Sequence, residues 1–101
     1  VDVAEILKKS ENSLLMVSFT SEWSGASHIQ SIFAKQLETE YQPKMELLEL
    51  DYKSTHNKPL TYFSISTVPT TLVLKDQEVI GFWEGLTSKT KMRQVIEAHL
   101  T

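Results

Sequence analysis

Apolar and polar positions along this chain alternate between helical and extended periods. Val3, Ile6 and Leu7 share one helical face within residues 2–10, and Asp2 stands where a helix N-cap belongs. Glu11-Asn12-Ser13 follows as a turn. The run Leu14-Leu15-Met16-Val17-Ser18-Phe19 is short and almost wholly apolar, the pattern of a strand buried on both faces. Residues 20–27 are small and polar apart from Trp23 and form a loop entering a helix. In that helix Ile29, Ile32, Phe33, Leu37 and Tyr41 are expected to make one continuous core stripe, ended by Pro43. Residues 45–51 predict a second strand. Asn57 before Lys58-Pro59 starts a short helix through Phe63. The β-branched residues 70–75 and the run 78–83, separated by Asp76-Gln77, predict a hairpin without the glycine that usually marks such a turn. Ser88 or Thr87 opens a last helix with Met92, Val95, Ile96 and Leu100 on one face.

This order predicts a single α/β domain over residues 1–101, a mixed sheet covered by helices. Its 101 residues, 41% hydrophobic and 23% charged, suit a globular chain able to bury a core. The formal charge of −3 gives no basic field for nucleic acid or anionic lipid, so neither is expected as a partner. No apolar run has the length of a membrane span and no signal-peptide pattern is present, so a cytoplasmic location is expected. The chain opens on Val1 rather than Met, which points to a trimmed N-terminus. There is no cysteine, which excludes disulfides, zinc–thiolate sites and thiol chemistry. His28, His56 and His99 stand on different elements without ligand-like spacing, so no metal and no cofactor are expected.

Three segments carry a resemblance. Phe19-Thr20-Ser21-Glu22-Trp23-Ser24-Gly25-Ala26-Ser27-His28 resembles the active-site segment of the thioredoxin family, where a strand runs into Trp-Cys-Gly-Pro-Cys and a long helix. Ile65-Ser66-Thr67-Val68-Pro69-Thr70 is similar to the family's cis-proline segment, and Gly85-Leu86-Thr87-Ser88-Lys89 to its glycine loop before the last helix. The matches stand in the family's order over roughly residues 3–100. The resemblance implies a thioredoxin-like sheet of four strands, or five if a short opening strand forms, with a cis bond before Pro69.

The departures are as informative. Ser24 and Ser27 stand at the redox cysteines as a Ser-x-x-Ser motif, and a hydroxyl can neither cycle through a disulfide nor ionise usefully near neutral pH. The family's buried acid aligns with Ser18 and its partner lysine with Glu49. A Cys→Ser exchange made to silence an oxidoreductase would leave those two positions untouched, so their drift favours natural loss of redox function.

Each candidate residue has a plain role and a sharper one. Ser24 is either a helix N-cap or, with His28 one turn on, a hydrolytic nucleophile; no acid is placed to orient the imidazole, which favours the cap. Ser27 is either a filler in a buried thiol's place or part of a small-anion site at the helix start. Pro69 locks the hairpin entry, and it also leaves the Val68 backbone free to pair with an extended peptide. By resemblance, Trp23, Thr67, Val68, Pro69 and Gly85 line a shallow peptide-binding groove. One of Phe82 and Trp83 is expected to face outward and extend it. The charged runs 89–93 and 38–40 are expected to be solvated helix faces. Two functions follow: a redox-inactive polypeptide-binding or chaperone-like adaptor, or a thiol–disulfide oxidoreductase of cell redox homeostasis represented by a Cys→Ser variant.

Overall fold

A computed structural model describes residues 1–55 and 57–100, so His56 lies outside the described residues. Helix α1 (Val3–Lys9) starts where Asp2 Oδ1 accepts the Glu5 backbone N–H at 2.8 Å, and Lys8 and Lys9 occupy its last turn, where cations suit the helix dipole. Strand β1 (Leu14–Thr20) is buried over six of its seven residues. It lies at the centre because apolar side chains on both faces need cover from both sides. Helix α2 (Gly25–Tyr41) is followed by β2 (Met45–Asp51), the short helix α3 (Asn57–Tyr62), β3 (Thr70–Lys75), β4 (Glu78–Glu84) and α4 (Lys89–Ala98). The strands form a four-stranded mixed sheet in the order β2-β1-β3-β4, with β1 parallel to β2 and antiparallel to β3.

Alternation along β1 divides the core. Leu14 and Met16 pack with Ala34, Leu37 and Tyr41 of α2 and Met92 and Ile96 of α4. Leu15, Val17 and Phe19 face the opposite way, against Ile6 of α1, Phe63 and Ile65, with Leu72 and Leu74 beside them. The fold is therefore thioredoxin-like α/β, a sheet flanked by helices. The peptide bonds before Pro43 and Pro69 are both cis.

The hairpin closes without glycine. Asp76 and Gln77 have φ of 49° and 71°, the left-handed pair that a two-residue type I′ turn demands. Their backbone N–H groups donate to Ser10 O and Ser10 Oγ at 2.9 and 2.8 Å, so the end of α1 holds the turn in a conformation its side chains do not favour.

Helix α2 corrects the expected stripe. Its buried face is Ser27, Gln30, Ala34, Leu37 and Tyr41, with Phe33 partly buried against the same core, whereas Ile29 and Ile32 are 44% and 55% exposed. Leu37 and Tyr41 keep their expected place. Upstream, small and polar residues face the sheet row that carries Ser18 and Thr71, and the two isoleucines point outward. The run 38–40 is likewise not simply solvated: Glu38 Oε2 accepts the backbone N–H of Leu47 on the outer edge of β2 at 2.8 Å. Glu40 takes two hydrogen bonds from Arg93 of α4, each 3.0 Å.

Candidate functional site

The strand register brings four loops to one end of the sheet. Asp51 pairs with Thr20, Phe19 with Thr70, and Thr70 with Glu84. The segments 52–55, 21–24, 67–69 and 85–87 therefore emerge side by side, in the order of their strands. Trp23, Thr67, Val68, Pro69 and Gly85 all lie in these loops, and the Gly85 N–H donates to Pro69 O at 2.7 Å. Gly85 has φ of 81°, a conformation that a side chain would strain.

At the start of α2, both serine hydroxyls have structural duties. Ser24 is the N-cap with extended backbone, and its Oγ accepts the Ser27 N–H at 3.1 Å. Ser27 is buried and its Oγ accepts the Ser21 N–H at 3.1 Å, fastening the loop to the first helical turn. Ser21 Oγ in turn accepts the Trp23 N–H at 3.2 Å, which leaves the indole projecting into solvent, 72% exposed. His28 directs Nε2 to Glu22 O at 3.0 Å, so its ring engages the loop backbone and not the Ser24 hydroxyl. The arrangement is a cap and a staple. It offers no base–nucleophile pair.

Beneath α2, Glu49, Ser18, Thr71 and Trp83 form one row across the four strands. Glu49 accepts the Ser31 hydroxyl at 2.5 Å and pairs with Lys35 at 3.6 Å. Ser18 Oγ and Thr71 Oγ1 are buried with no hydrogen-bond partner among the described residues, although the two residues sit opposite each other on paired strands. An open cleft of about 440 Å³ lies beside this row, lined by Thr20, Ser21, Glu22, Ser27, His28, Ser31, Glu49 and Asp51. It is on the α2–β2 side of Trp23, away from Pro69. Among the described residues no cluster of three or more His, Asp or Glu could hold a metal ion, and His99 directs Nδ1 to Val95 O at 2.8 Å.

Sequence reasoning missed Gln30. It is fully buried, its Oε1 accepts the Thr87 N–H at 2.7 Å, and its amide nitrogen contacts Met92 Sδ at 3.6 Å. A lone glutamine amid a helical run gives no sign of burial; the only available signal was its three-residue spacing from Ser27. Phe82 is the outward aromatic of the hairpin, 40% exposed, while Trp83 lies across Gly81. Among the described residues no helix is long and apolar enough to cross a membrane.

Comparison with known proteins places these features. The family model described as Thioredoxin matches residues 3–98. The thioredoxin of Staphylococcus aureus is 25% identical over 97 residues, covering 96% of this chain and 92% of that protein. The solved structure of Fasciola hepatica thioredoxin superposes with a TM-score of 0.81 at 22% identity, covering 96% of this chain and 90% of that one. A malaria parasite thioredoxin-2, described as a component of the parasite's protein secretion machinery, gives a TM-score of 0.79 at 22% identity, with 86% and 84% covered. At these identities the structural matches speak to fold alone.

Proposed function

This chain belongs to the thioredoxin family and contains no cysteine, and from that premise we propose that it binds extended polypeptide without exchanging disulfides. The observation that carries this reading is the state of Val68. It stands half-buried between exposed Thr67 and buried Pro69, and among the described residues nothing takes up its backbone N–H or C=O. A free N–H and C=O beside an apolar wall is the requirement for adding an extended strand. Trp23 on one side and Gly85 on the other supply an aromatic face and a stretch without side-chain bulk. Such a site supports an adaptor or holding role.

The test is a titration of an unfolded polypeptide into the labelled chain, followed at the Val68 amide and the Trp23 indole. Saturable shifts at both, with slowed hydrogen exchange at Val68, are the expected result. Shifts confined to other surfaces would sink the reading.

A second reading rests on Ser27, whose buried side chain has the size of the thiol it would replace. It makes the chain a thiol–disulfide oxidoreductase of cell redox homeostasis seen with Cys→Ser exchanges. The Ser24→Cys/Ser27→Cys double variant separates the two. Slow insulin reduction is expected, because Ser18 supplies no proton-accepting group behind the buried thiol. Rapid turnover would favour the oxidoreductase.

A further inference from the structure

Lys53 lies in the segment that follows β2, and its ammonium stands 4.4 Å from the centroid of the Trp23 ring. A cation over an indole face is held by the ring quadrupole, which fixes the position of a side chain otherwise free to wander. Lys9, Lys35 and Arg93 each pair with a carboxylate. Among the described residues Lys53 has no such partner. Asp51, two residues before Lys53, accepts the Ser54 hydroxyl through Oδ2 at 2.5 Å, and Glu22 and Asp51 both belong to the lining of the cleft on the α2–β2 side.

The order of the strands places Lys53, Trp23, Val68 and Gly85 in sequence along the end of the sheet. Thr67, Val68, Pro69 and Gly85 carry no charge, so of these residues with Trp23 and Lys53 only Lys53 is charged, while the exposed Glu22 and Glu84 stand beside Trp23 and Gly85 in the chain. Resting on the polypeptide-binding reading above, we propose that the bound segment is acidic: an extended stretch whose aspartate or glutamate pairs with Lys53 while its backbone lies against Val68. Trp23 then has two tasks. It gives the segment an apolar face and it presents the ammonium to the carboxylate. Charge complementarity of this kind selects the partner and its register more than it adds affinity.

The experiment uses one short extended peptide in three versions, with Glu, Gln or Lys at a single central position. Each is titrated into the complete chain at low and high salt, with the Trp23 indole and Val68 amide as readouts. The Glu peptide is expected to bind about fivefold more tightly than the Lys peptide, with Gln between them and the spread narrowing in salt. Lys53→Gln is expected to level the three affinities and Lys53→Glu to invert their order. Equal affinities for the three peptides on the unaltered chain, or a ranking that survives Lys53→Gln, would overturn the acidic preference and leave polypeptide binding standing. Failure of all three peptides to bind would overturn both.

Discussion

Gln30 on α2 accepts the backbone N–H of Thr87 at 2.7 Å in a fully buried setting, so a helix side chain fixes the loop that follows β4. Replacing Gln30 with Leu keeps much of the volume and leaves the Thr87 N–H unpaired. The expected cost is about 2 kcal/mol, the penalty of a buried donor without a partner. Urea melts of the variant check this. An unchanged midpoint would mean that the loop finds another acceptor.

Ser18 and Thr71 present the opposite case, buried hydroxyls without a hydrogen-bond partner among the described residues. Thr71→Val is close to isosteric and removes one of them, so it is expected to raise stability by about 1 kcal/mol. Ser18→Ala is expected to act in the same direction, reduced by the small void it leaves. A loss of stability in Thr71→Val would show that the hydroxyl is satisfied in solution, by water for example.

The turn of the hairpin supplies a third expectation. Gln77 holds φ of 71°, where a side chain is disfavoured and glycine is not. Gln77→Gly is expected to stabilise the chain by about 0.5 kcal/mol, because the backbone bond from residue 77 to Ser10 Oγ is kept and the relieved strain outweighs the exposed side-chain bond to Glu11 that is lost. Thermal melts would show it, and a fall in midpoint would place the strain elsewhere.

These three cases show what the pattern of residues could and could not disclose. Caps were legible: Asp2, Ser24 and Ser88 each accept a backbone N–H three residues on, as their type and position implied. The strands were legible because apolar runs bounded by polar residues leave few alternatives. The inner face of α2 was not. Its isoleucines suggested a core, yet the helix lies over a polar row of the sheet, and that row arises from the register of β1, β2 and β3. No local period encodes a register between distant strands. Gln30 and the pairing of Glu38 with Leu47 were hidden for the same reason.

The pH dependence of stability should have two limbs with different origins. Arg93 hydrogen bonds hold the Glu40 carboxyl below the ordinary carboxylate value. The ionised form is thus favoured by the fold, and its contribution is present above the unfolded value and lost as pH falls through the lower folded one. Burial, with the hydrogen bond to Glu97 at 2.6 Å, pushes the Tyr41 phenol well above its ordinary value. Its contribution is complete below the unfolded value of 10.0 and declines above it, because the unfolded chain ionises first. Melts from acid to strong alkali should lose the alkaline limb in Tyr41→Phe and part of the acid limb in Glu40→Gln. An alkaline limb that persists in Tyr41→Phe would assign it to another group.

The bond from Leu47 N–H to Glu38 bears on how this molecule tolerates its own company. An edge strand offers its outward donors to any neighbouring chain, and growth of one sheet onto another begins with the first pair of bonds made there. On β2 one outward donor is already occupied by a carboxylate, and a newcomer must displace an anion there before it can form a ladder. The guard comes from the helix nine residues earlier and takes nothing from the strand's own sequence. Leu47, Leu48 and Leu50 can therefore stay leucine for the sake of the interior, while crowding is resisted by a residue that never enters it.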